Sequence, residues 1–143
     1  MALRLLARRE HSRHELVIKL RQRGFEASVI APVLDDYEDR DWLSDLRFAE
    51  MLVRQRKEAG YGPLKIRADL QHKGIMATPQ ALSEITEASW QACAVQARRK
   101  RFGLGDIRND WPEMARQAGF LNRRGFTSEQ VEHAVTAVES DPI

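Results

Sequence analysis

The chain carries the same helix-ending signature three times, at nearly equal intervals. Gly24, Gly74 and Gly125 lie 50 and 51 residues apart, and each follows a cation and precedes a large apolar residue. A leucine stands four positions before each glycine. A glycine at the end of an apolar-periodic run adopts the left-handed conformation that ends a helix, and the next apolar residue packs back on the last turn. A signature repeated at this period predicts a tandem array of helical units.

The beginnings of these helices are marked as well. Ser12 precedes Glu15 by three positions, which is the spacing of a capping box. In the second copy Gly62 precedes Pro63, and proline is favoured at the first helical position. The third copy begins two or three residues early, at residues 110–112. We therefore predict helices that begin at these caps and end at the three glycines.

Two further helices accompany each of these helices. Apolar residues at helical spacing follow each glycine, and longer amphipathic runs precede each unit, at about 2–9, 44–59 and 89–102. No alternating strand pattern is present. The predicted fold is all-α, an elongated, curved solenoid-like molecule of three tandem three-helix repeats, at residues 1–40, 41–88 and 89–143.

Composition narrows the class of protein. The chain has 143 residues, a formal net charge of +2 and a single cysteine, Cys93. No apolar run approaches the ~20 residues that span a bilayer, and one thiol cannot form an internal disulfide. We expect a cytoplasmic monomer with no membrane partner, no cofactor and no metal. We also expect Cys93 and the three tryptophans to pack between helices.

The charge is distributed in alternating blocks. Lys and Arg outnumber Asp and Glu by 5 in residues 1–25, by 4 in 51–75 and by 5 in 98–125, while acidic residues are in excess between these blocks. Stacking similar units aligns the basic helices, so we predict a cationic stripe that binds a partner or DNA. Its candidate residues are Arg21, Arg23, Arg54, Arg56, Lys57, Lys65, Arg67, Lys73, Arg98, Arg99, Lys100, Arg101, Arg123 and Arg124.

The alternative is that these cations form an ordinary solvated face with local ion pairs. Lys65 and Asp69, four residues apart on a predicted helix, are one such pair. Single exposed cations usually contribute little, so this alternative applies to any one residue more easily than to the whole set.

Five segments spread in order along the chain form a recognisable set: REHSRHEL (9–16), LSDLRFAEMLVRQR (43–56), GYGPLKIRADLQHKGI (60–75), RRKRFG (98–103) and FLNRRGFTSEQV (120–131). Together and in register they resemble the RecX family of bacterial regulators of the RecA recombinase. Asp69 stands where the family usually has glutamate. The resemblance implies a non-enzymatic modulator. Such a protein binds the RecA–single-stranded DNA filament in its groove and inhibits strand exchange, ATP hydrolysis and filament extension.

Parts of the sequence also bear on three other classes of function. An autonomous, sequence-nonspecific nucleic-acid-binding module remains open, because the cationic blocks suit phosphates. The layout of a helix, a glycine and a second helix also imitates a DNA-reading helix-turn-helix motif. However, the helix after Gly24 carries Glu26, Asp35 and Asp36 and no cation before residue 40. Catalysis is disfavoured, since no Cys or carboxylate pattern completes a metal site with His11 and His14, and the FGLGD segment at 102–106 lacks a preceding strand.

Overall fold

The computed structural model describes residues 1–139, and all regular secondary structure in this range is helical. The helices are α1 (Ala2–Arg8), α2 (Arg13–Gln22), α3 (Ala27–Asp39), α4 (Asp45–Glu58), α5 (Pro63–His72), α6 (Gln80–Ser83), α7 (Glu87–Phe102), α8 (Trp111–Arg123) and α9 (Ser128–Thr136). We call α1–α3 the first unit, α4–α6 the second and α7–α9 the third. The predicted all-α class with three three-helix units is confirmed for the described residues.

The helices begin and end at the capping residues that the sequence predicts. Ser12 and Glu15 form a complete capping box at the start of α2, and Thr127 and Gln130 form another at the start of α9. The three repeat glycines have φ values of 94°, 86° and 91°, the left-handed conformation that other residues rarely adopt. Local capping chemistry therefore sets where these helices begin and end.

The third helix of the second unit is much shorter than its counterparts. In the second unit, the helix that follows Gly74 is α6, which is only four residues long. Leu82 is buried as its apolar spacing requires, but Thr86 already caps α7 by accepting a hydrogen bond from the amide of Ser89. The chain therefore turns into the third unit before α6 can extend.

The buried side chains form two separate hydrophobic clusters. The first unit has its own cluster, which includes Leu16, Leu20, Ile30 and Leu34. The second and third units share the larger cluster, around Phe48 and neighbouring side chains. The molecule exposes 9158 Å², compared with about 7,500 Å² for a compact monomer of this mass. The larger area agrees with stacked units rather than one spherical core.

The same end-to-end contact joins successive units. At the junction of the second and third units, the first amides of α5 are bonded to the end of α8. Gly62 N–H donates to the carbonyl of Arg124 at 2.8 Å, and Leu64 N–H donates to the carbonyl of Gly125 at 2.9 Å. The amide groups at a helix start lack intrahelical partners, so these bonds satisfy both helix ends.

The end of α5 also contacts the start of α2, here through side chains rather than backbone hydrogen bonds. A Cβ added to Gly74 would lie 2.5 Å from the Cβ of His14. Beside this contact the Nζ of Lys73 lies 3.3 Å from Oε2 of Glu15, the N3 residue of α2. We call these two contacts the unit junctions.

The tryptophan prediction is correct for only one of the three residues. Trp90 is buried within the larger cluster. Trp42 is exposed and lies against Tyr37 and Arg40, and Trp111 is 76% exposed at the start of α8. Both exposed residues precede or begin a helix, where the side chain can point away from the packed face. No helix in residues 1–139 is long and apolar enough to cross a membrane.

Candidate nucleic-acid interface

The predicted cations divide according to their surroundings. Eight are exposed and have no carboxylate within 4 Å among residues 1–139: Arg21, Arg23, Arg54, Arg67, Arg99, Lys100, Arg101 and Arg123. Lys57 and Arg124 are half-buried and likewise form no ion pair with the described residues. These ten cations remain available to an anionic partner, while the other four are engaged within the protein.

Arg98 corrects the sequence prediction, because its side chain is fully buried. Its guanidinium donates to Oε1 of Gln117 at 2.7 Å and to the carbonyls of Ala134, Ala137 and Gly105 at 3.1, 2.5 and 2.6 Å. Burial lowers the pKa of Arg98, and Asp106 nearby opposes that effect. Arg98 therefore holds the end of α9 and the loop after α7 in place, and it cannot contact a partner.

The burial of Arg98 can be inferred from the spacing of apolar residues in the sequence. Trp90, Ala94 and Arg98 are spaced by four residues and lie on one buried face of α7. Because Arg98 begins a run of four cations, its charge favoured an exposed position in the sequence prediction.

Three further cations are bound to carboxylates. Arg56 and Lys65 both contact Asp69, at 3.1 and 3.0 Å, so the predicted Lys65–Asp69 pair is confirmed. Lys73 contacts Glu15 across the junction of the first two units. Because these charges are already partly neutralised, they attract phosphates less than the ten cations without a carboxylate partner.

Glu15 is a buried carboxylate with several cationic partners. Arg9 donates to both of its oxygens, at 3.2 and 2.6 Å, and Lys73 approaches from the second unit. Burial alone raises the pKa of Glu15, but the hydrogen bonds from Arg9 and the charges of Arg9 and Lys73 outweigh it and lower the pKa to about 2. The carboxylate thus stays ionised over the whole neutral range.

We predict that Glu15→Gln removes an acid-sensitive part of the stability. Since the folded pKa lies below the ordinary value of 4.5, Glu15 stabilises the fold fully above about pH 4.5 and loses this effect as the pH falls towards 2. The difference in unfolding free energy between wild type and variant should approach about 3 kcal/mol near pH 6 and shrink towards pH 2. Urea titrations at several pH values measure it. A difference independent of pH would contradict the ionised, paired state of Glu15.

Four cations without a carboxylate partner surround one cleft at the junction of the second and third units. Two adjoining cavities of about 240 Å³ each share Ala59, Gly60, Ala97 and Lys100. We define the junction cleft by all residues that line them: Lys57, Glu58, Ala59, Gly60, Cys93, Gln96, Ala97, Lys100, Arg101, Phe120 and Arg124. Each cavity is smaller than a typical small-molecule pocket. The cleft suits a phosphate and its attached sugar better than a buried organic ligand.

Aromatic rings position the arginines of the cleft. The guanidinium of Arg124 lies 4.8 Å from the ring centre of Tyr61 and 5.0 Å from that of Phe120, and it donates to the carbonyl of Ala59. Arg101 lies 5.7 Å from the ring centre of Phe120. Stacking on aromatic rings restrains a guanidinium while leaving donors free at its edge. The cleft thus presents arginine donors in fixed positions, which is what phosphate recognition requires.

The charge pattern predicts the cations of the cleft but not its aromatic lining. A signal for Phe120 exists, since it stands four residues before Arg124, a spacing that places both side chains on one helical face. Cys93 is half-buried and lines the cleft, so it packs against the core without being enclosed by it. The junction cleft contains four of the ten available cations, and a continuous stripe remains a prediction.

The described residues offer no obvious catalytic chemistry at this site. No group of three or more His, Cys, Asp or Glu side chains within residues 1–139 is placed to hold a metal ion. The site is an open, cationic, aromatic-backed cleft on a helical-repeat scaffold, an arrangement typical of a binding protein.

Family comparisons agree with this class. The family models for the first, second and third three-helix domains of RecX match residues 1–36, 44–78 and 87–135. The chain therefore belongs to the RecX family, a family of regulatory proteins.

Individual relatives cover almost the whole chain. A regulatory protein RecX of Halorhodospira halophila is 44% identical over 98% of this chain and 87% of its own length. A regulatory protein RecX of Pseudomonas fluorescens is 39% identical over 98% of this chain and 90% of its own length. A crystal structure of RecX from Lactobacillus salivarius superposes with a TM-score of 0.74 over 94% of this chain and 89% of that one, at 23% identity. The solved structure thus supports the fold.

Proposed function

We propose that this protein is a non-enzymatic regulator of the RecA recombinase in the bacterial cytoplasm. It is a monomer in solution that binds the RecA–single-stranded DNA filament and inhibits strand exchange and ATP hydrolysis, and so limits recombination during DNA repair and the SOS response. Family membership supports the regulatory role. The observation that carries the contact with the filament is the junction cleft, where Lys57, Lys100, Arg101 and Arg124 meet without a carboxylate bridge among the described residues.

The cleft would act on the DNA backbone within the filament. Arg101 and Arg124 are held by aromatic rings and can donate paired hydrogen bonds to a phosphate, while Lys57 and Lys100 add charge on either side. Backbone contacts carry no base information, so this mode suits a regulator that acts on any filament sequence. The single acidic lining residue, Glu58, sits among four cations and leaves the cleft positive.

RecA ATP hydrolysis on single-stranded DNA tests the proposal. Purified protein added at increasing ratios to RecA should progressively lower the hydrolysis rate. Electron microscopy of the same samples should show the protein on the filaments. Unchanged hydrolysis at every ratio, with folded protein confirmed by circular dichroism, would refute the inhibitory function.

A second candidate function is direct binding to free single-stranded DNA, which the aromatic and cationic lining of the cleft favours. If the four cleft cations each neutralise one phosphate, the logarithm of the binding constant should fall with that of salt with a slope of about −3. Affinity should then drop by about 50-fold between 50 and 200 mM salt. Fluorescence anisotropy with a labelled oligonucleotide measures this. A slope near zero would exclude phosphate contacts by the cleft.

The two candidates are separated by comparing affinities under one salt condition. A regulator of the filament should bind RecA-coated DNA more tightly than bare DNA, because protein contacts add to phosphate contacts. Equal affinity for both would identify an autonomous nucleic-acid-binding module.

A further inference from the structure

The two unit junctions follow one rule. In each, the glycine-ended helix of a later unit contacts the first turn of the corresponding helix in the preceding unit. Gly74 meets the start of α2, and Gly125 meets the start of α5. Three units form two such junctions, and therefore leave one glycine end and one helix start unused. The unused glycine end is that of α2, and the unused helix start is that of α8.

The glycine end of α2 has the features of a junction without its partner. A Cβ added to Gly24 would meet nothing within 4 Å, whereas one added to Gly125 would meet Lys65 at 2.3 Å. The apolar residue after the glycine shows the same contrast. Phe126 is 2% exposed, but Phe25 is 43% exposed. Phe25 also borders a notch of about 170 Å³ lined by Met1, Val29 and Val33. This end presents apolar surface that the other units cover.

The start of α8 has the matching features. Trp111, its first residue, is the most exposed large apolar side chain among residues 1–139. Glu113 occupies the N3 position of α8, as Glu15 does in α2, and it accepts hydrogen bonds from Arg116 of its own helix, as Glu15 does from Arg9, so a docked cation would be its second. At the junction of the first two units Glu15 pairs with Lys73, the residue before Gly74. The residue before Gly24 is Arg23, which has no carboxylate within 4 Å in the described part of the chain.

We propose that copies of this chain associate head to tail. The glycine end of α2 in one copy would dock on the start of α8 in another, with Arg23 opposite Glu113 and with Phe25 and Trp111 covered. The contact would repeat the internal junction of the first two units, including its cation–carboxylate pair. Because it joins two different surfaces, it is heterologous and adds copies in a row. The contact is confined to one helix end and one helix start, so it is weak in dilute solution, where the protein is a monomer, and favoured when copies lie side by side.

Zero-length carbodiimide cross-linking tests this contact without RecA or DNA. In an Arg23→Lys variant, the amine at position 23 should couple to the carboxylate of Glu113 and increase with protein concentration. A mixture of ¹⁵N-labelled and unlabelled protein should give isotopically mixed cross-links, which proves that two copies took part. The Lys65–Asp69 pair, 3.0 Å apart, supplies an internal positive control in every sample. Mass spectrometry identifies the coupled residues.

A matched variant separates docking from chance encounter. Trp111→Ser keeps both reacting groups but removes the apolar contact, so it should abolish most of the mixed cross-link while leaving the Lys65–Asp69 product unchanged. A concentration-dependent cross-link that Trp111→Ser does not weaken would overturn the proposed docking. Recovery of the Lys65–Asp69 product with no mixed link at any concentration would overturn the association itself. A partner other than a second copy would give this last result.

Discussion

Reversing two charges in the junction cleft should nearly abolish filament inhibition while leaving the fold intact. Lys100 and Arg101 are exposed, form no ion pair with residues 1–139 and line the cleft next to Arg124. Each lost phosphate contact costs about 1.5 kcal/mol, and reversal adds repulsion. The double variant Lys100→Glu with Arg101→Glu should therefore need at least about 100-fold more protein for half-inhibition of RecA ATP hydrolysis.

The matched control is Arg4→Glu with Arg8→Glu. It changes the net charge by the same amount, and both residues are exposed on α1, outside the cleft. This control should shift half-inhibition by only a few-fold. Comparable losses for the two double variants would show that overall charge, rather than the cleft, directs binding. Circular dichroism and melting curves should be unchanged for both.

Gly125→Ala should destabilise the protein by about 3–5 kcal/mol. This is the largest stability effect that we expect from adding a single methyl group. The left-handed backbone of Gly125 (φ 91°) costs any other residue about 1–2 kcal/mol. In addition, the new methyl group would lie 2.4 Å from the backbone nitrogen of Lys65. Backbone cannot yield as a side chain does, so the third unit must shift away from the second. Urea denaturation measures the loss.

Gly24→Ala is the control for this prediction. Gly24 has the same left-handed conformation (φ 94°) but no neighbour near the new methyl group. It should lose only the backbone cost of about 1–2 kcal/mol. The difference between the two variants therefore measures the packing of the junction alone. Equal losses would show that the unit junction tolerates a methyl group and that close approach does not stabilise the contact.

Most of the fold can be predicted from this sequence because its helix ends are encoded locally. The capping box of Ser12 and Glu15 and the left-handed glycines require only neighbouring residues to form. The short length of α6 is harder to predict from the sequence. It depends on where Thr86 begins α7, so the length of α6 is decided by the helix that follows it.

The candidate site is only partly visible in sequence because its parts come from three helices. Counting charges finds Lys57, Lys100, Arg101 and Arg124, but it cannot show that α4, α7 and α8 bring them together. The same counting misplaces Arg98, whose burial depends on the carbonyls at the end of α9. Charge is a property of the residue, whereas exposure is a property of the packed structure.

Because the two hydrophobic clusters are separate, the first unit can open without disrupting the core that the other two units share. Polar contacts join it to the rest: Arg47 to Glu10 at 2.9 Å, the amide of Arg13 to Asp45 at 2.8 Å, and Lys73 to Glu15. These contacts weaken with salt and acid, while the shared core of the other two units does not. The first unit is therefore the part of the described fold whose attachment is most sensitive to salt and acid.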